Sequence, residues 1–74
     1  MGLTEEQFTA TTRGLALGIL KGCQNRKFDR NETSAIAGAA LVEVLGTVLG
    51  PVGTVERLRD LSDLLERQLL NEVN

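Results

Sequence analysis

The sequence contains no histidine, no tryptophan and no tyrosine, and its single cysteine is Cys23. These absences remove much of the usual catalytic chemistry. Without histidine, Cys23, Ser34 and Ser62 lack the common general base, so nucleophilic catalysis is not expected. A lone cysteine forms no intrachain disulfide, and without histidine it builds no zinc site, so no metal is expected. An unpartnered thiol fits a reducing compartment, which points to a cytoplasmic protein. Gly14, Gly18 and Gly22 lack the preceding strand and the following GK[ST] of a phosphate loop, so no cofactor is expected either. The carboxylate pairs Asp60/Asp63 and Asp63/Glu66 fall on a face that reads as solvated. The inventory therefore argues against an enzyme.

Aromatic residues are equally scarce, with only Phe8 and Phe28, and no one sign of charge dominates. Eight basic and ten acidic residues leave a net charge of −2, which argues against a dedicated nucleic-acid binder. Lys21, Arg26, Lys27 and Arg30 form the most basic region and a candidate anion patch. Without an aromatic platform beyond Phe28 it is a weak nucleic-acid signal. The preferred reading is a solvated loop whose cations meet the last carbonyls of the preceding helix, with Phe28 folded inward. A helix-turn-helix reading fails because the helix from Thr54 onward is acidic and phosphate would repel it. The start of the chain has no basic region followed by an apolar run, so a secretory signal is not expected.

What the chain does have is the stretch Thr33 to Gly50, whose only charge is Glu43. Steps of four align along one helix face. They give a bulky ridge (Ala37, Leu41, Leu45, Leu49), a second apolar ridge (Ile36, Ala40, Val44, Val48), a smaller one (Gly38, Val42, Gly46, Gly50) and one strip with polar atoms (Ala35, Ala39, Glu43, Thr47). A helix apolar nearly all round is buried in protein or in lipid. Spanning a bilayer takes about 20 apolar residues, and Glu43 near the middle would be costly there. The flanks lack an aromatic belt or a one-sided cluster of Lys and Arg. A buried helix at the centre of a soluble protein is the preferred reading, with membrane insertion as the alternative. A strand is excluded by the length of the run and by its Ala-Gly-rich composition.

Two amphipathic helices flank this centre. Thr4 with Gln7 forms a capping box that opens the first, and Glu5 and Glu6 suit its positive end. Phe8, Thr12, Leu15, Ile19 and Cys23 then share one face, read as core. Beside them run Ala10, Gly14, Gly18 and Gly22. Each helical glycine costs about 1 kcal/mol against alanine, so this ridge is read as a close-packing surface. Gly46 and Gly50 are its candidate match. Leu17 and Leu20 add surplus apolar surface. The central helix starts at Asp29 paired with Glu32, or at Asn31; both cap patterns fit. It ends at Gly50, before Pro51. Thr54 is expected to cap the third helix, whose stripe is Val55, Leu58, Leu61, Leu65 and Leu69, widened by Leu64. Such a short connection makes antiparallel neighbours. The terminal Asn71–Asn74 is expected to fray.

A chain of 74 residues buries only about 60% of its unfolded surface and is marginal alone. With disulfides and metals gone, oligomerisation is the remaining means of support. Two flanking helices leave part of the central one wet, and a second copy in a two-fold dimer is the economical cover. The expected fold is therefore all-α: one domain over residues 1–74, a three-helix bundle (5–23, 31–49, 54–71) with a hydrophobic central helix, assembled as a dimer. Expected interface residues are Gly14, Leu17, Gly18, Ile36, Leu41, Val44, Leu45 and Val48. The expected function is a non-enzymatic protein–protein interaction module or inhibitor, partnered by itself and by another protein. The alternatives are a membrane-active helical protein and a weak anion or nucleic-acid binder.

Overall fold

The computed structural model describes the backbone of residues 2–73 and the side chains of residues 2–70. The protein is all-α: α1 spans Glu5–Asn25 and α2 spans Arg30–Val73, with no strand among the described residues. The helix count differs from the three expected. Residues 30–73 run as a single helical element whose only non-helical backbone is at Gly50 (φ 74°, ψ 177°). The chain divides after Gly38 into two units, described separately below.

In the first unit, α1 opens as its sequence requires. The Gln7 amide donates to Thr4 Oγ1 at 3.1 Å, and the Thr4 amide donates to Gln7 Oε1 at 3.0 Å. This reciprocal pair satisfies two amides that the first helical turn leaves open. α1 ends at Asn25, two residues later than expected. The Lys27 amide donates to the Gln24 carbonyl (2.9 Å) and the Phe28 amide to the Cys23 carbonyl (3.1 Å), with Lys27 left-handed at φ 59°. That is a Schellman motif with lysine where glycine is usual. The motif commonly brings together the side chains at its two ends, here Cys23 and Phe28. Cys23 is 4% exposed and Phe28 is half-buried.

The same turn settles the start of α2. With Phe28 consumed in the motif, Asp29 becomes the cap: the Glu32 amide donates to Asp29 Oδ1 at 2.8 Å, and the Asp29 amide donates to Glu32 Oε1 at 3.0 Å. Asn31 lies inside the helix instead, and its carbonyl accepts from the Ser34 hydroxyl at 3.0 Å.

The second unit is organised at Gly50. Its φ and ψ lie in a region that only glycine enters readily. Pro51 follows as the first residue of the resumed helix, where its missing N–H costs nothing and its fixed φ suits the helix. The expected loop over residues 50–53 is therefore absent, since Pro51–Gly53 are already helical. Thr54 is not a cap. It lies within the helix, 6% exposed, and its hydroxyl donates to the Gly50 carbonyl at 2.7 Å. Its Oγ1 also sits 4.0 Å from where a Cβ on Gly46 would be. Eight residues of straight helix advance about 12 Å, so this approach shows how sharply the chain bends. A Cβ on Gly53 would lie 2.8 Å from Leu49 Cβ, which reserves that corner for glycine. α2 stays helical through Val73, without the unwinding expected from Asn71; Asn74 lies outside the described residues.

Burial within the single chain is slight. Cys23 and Thr54 are the only buried residues among those described. The central stretch is not a buried core within one chain. Ile36, Leu41, Val44, Val48 and Leu49 are exposed, while Leu45 is half-buried. The first-helix stripe is likewise open: Phe8 is 62% and Leu15 68% exposed. The apolar faces that the sequence pattern dictates are formed, but the single chain does not cover them.

Candidate functional site

The largest chemically coherent feature of each unit is an uncovered apolar face. In the first unit α1 exposes Phe8, Leu15, Leu17, Ile19 and Leu20, and the opening turns of α2 expose Ile36. The four-residue spacing of this pattern reflects helical geometry, which sets Phe8, Leu15 and Ile19 along one side. Gly14 and Gly18, expected as a close-packing ridge, meet nothing within 4 Å of an added Cβ. Only Gly22 has a neighbour, the Arg26 guanidinium at 3.5 Å. The ridge is formed but has no close contact at Gly14 and Gly18.

In the second unit, Leu41, Val44 and Val48 are exposed, Val44 at 60% and Val48 at 72%. Leu45 is half-buried beside them. Gly46 and Gly50 are the expected counterparts of the α1 ridge. An added Cβ on Gly46 would meet Thr54 Oγ1 at 4.0 Å, an ordinary contact, and Gly50 is the break itself. Glu43 is exposed on the polar strip, with the Thr47 hydroxyl donating to its carbonyl at 2.9 Å. Of the eight expected interface residues, Gly14, Leu17, Gly18 and Ile36 belong to the first unit and Leu41, Val44, Leu45 and Val48 to the second. All except half-buried Leu45 are exposed.

The basic cluster is dispersed around the Schellman turn. Lys21, Arg26, Lys27 and Arg30 are all exposed. Arg26 Nη1 donates to the Gly22 carbonyl at 2.9 Å, meeting one of the carbonyls that a helix end leaves unpaired. Lys27 is committed to the left-handed position of the turn, and Arg30 is the first residue of α2. Among the described residues, no three His, Cys, Asp or Glu side chains gather as a metal site. No buried side-chain polar atom among them lacks a hydrogen-bond partner.

Part of α2 within Arg30–Leu70 is long and apolar enough to cross a membrane, and that part is not buried. Periodicity alone revealed the faces. It missed the corner built by Gly46, Gly50, Gly53 and Thr54, for which the Gly-Pro pair at residues 50 and 51 was the available signal. Set against known protein families, curated proteins and solved structures, the chain matches none, so a functional reading has to stand on its own residues and geometry.

Proposed function

We propose that the protein is a non-enzymatic interaction module that works as a homodimer in the cytoplasm and binds or inhibits another protein. The observation that carries this reading is the open apolar surface: one apolar side chain, Cys23, is buried among the described residues. Exposed apolar patches of this extent mark interaction sites in soluble proteins. The finer architecture proposed is a dimeric helical bundle in which the two parts of α2 on either side of Gly50 act as separate helices beside α1. The contact residues proposed are Gly14, Leu17, Gly18 and Ile36 in the first unit and Leu41, Val44, Leu45 and Val48 in the second.

The test is Leu45→Asp, which places a carboxylate in the middle of the α2 face. Burying an unpaired charge costs several kcal/mol or forces protonation, so assembly should be lost. A Leu45→Asp chain that remains a stably folded dimer would remove this face from the interface.

A second reading is favoured by one observation, the unburied apolar span of α2. In it, α2 inserts into a membrane. The break at Gly50 weighs against this. Thr33 to Leu49 gives about 25 Å of helix, short of a hydrocarbon core of about 30 Å, and Glu43 lies within it. Retention of the chain on lipid after an alkaline carbonate wash would reverse the order of the two readings.

A further inference from the structure

We draw no further inference here: the strongest candidate, the exposed apolar patch of α2 around Val44 and Val48, which Glu43 borders, carries nothing because nothing in the structure shows what covers it.

Discussion

Replacing Gly50 with alanine should destabilise the protein, whereas the same change at Gly38 should stabilise it. Gly50 holds φ 74° and ψ 177°, a conformation in which an L-residue is strained by about 1–3 kcal/mol. Alanine also restricts the unfolded chain, which returns about 0.4–1 kcal/mol. The net expectation is a loss of about 1–2 kcal/mol. Gly38 is an exposed residue of α2 with nothing within 4 Å of an added Cβ, so Gly38→Ala should gain about 1 kcal/mol from helix propensity. Urea unfolding at one fixed chain concentration reads both. With a slope of about 1 kcal/mol per molar urea for a small domain, Gly50→Ala should lower the midpoint by roughly 1–2 M and Gly38→Ala should raise it. Were residues 30–73 an unbroken helix, both variants would be stabilised. A stabilised Gly50→Ala protein would therefore refute the corner and the contacts derived from it.

Other substitutions probe the turns individually. Gly53→Ala should destabilise by about 1–3 kcal/mol, as overpacked sites do, because the new Cβ would lie 2.8 Å from Leu49 Cβ; a neutral result by chemical denaturation would show that the corner yields. Lys27→Gly should stabilise by about 0.5–1 kcal/mol, since Lys27 occupies a left-handed conformation that disfavours L-residues; a lower thermal midpoint would contradict the Schellman assignment. Asp29→Ala should cost about 1 kcal/mol through loss of the α2 cap, whereas Asn31→Ala should cost little, and the reverse ranking in urea would move the cap to Asn31.

The features legible in the sequence were those written in local spacing. Thr4 with Gln7 and Asp29 with Glu32 are three apart, and both capping boxes form. The choice of Asp29 over Asn31 was not local. It depended on how α1 ended, and that end was hidden because the left-handed position carries Lys27 instead of glycine. The Gly50-Pro51 pair marked the right place but suggested a loop. A proline that follows the break can also restart a helix, and here it does, which moves Thr54 from a cap to a back-bonded buried hydroxyl. Periodicity identified the apolar ridges of residues 36–49, but it carries no information about what lies against them. A helix apolar nearly all round was expected to be covered partly by its flanking helices and partly by a second copy. In this fold its large side chains are exposed or, like Leu45, half-buried, and within the single chain nothing lies within 4 Å of an added Cβ at Gly14 or Gly18.

The most direct measurement is the molar mass of the full chain in detergent-free buffer, by light scattering across a dilution series. Twice the 8.0 kDa chain mass, held down to the lowest concentration at which the helices persist, is the expected result. A folded species at the mass of one chain would contradict the assignment of a second copy to the apolar face of α2.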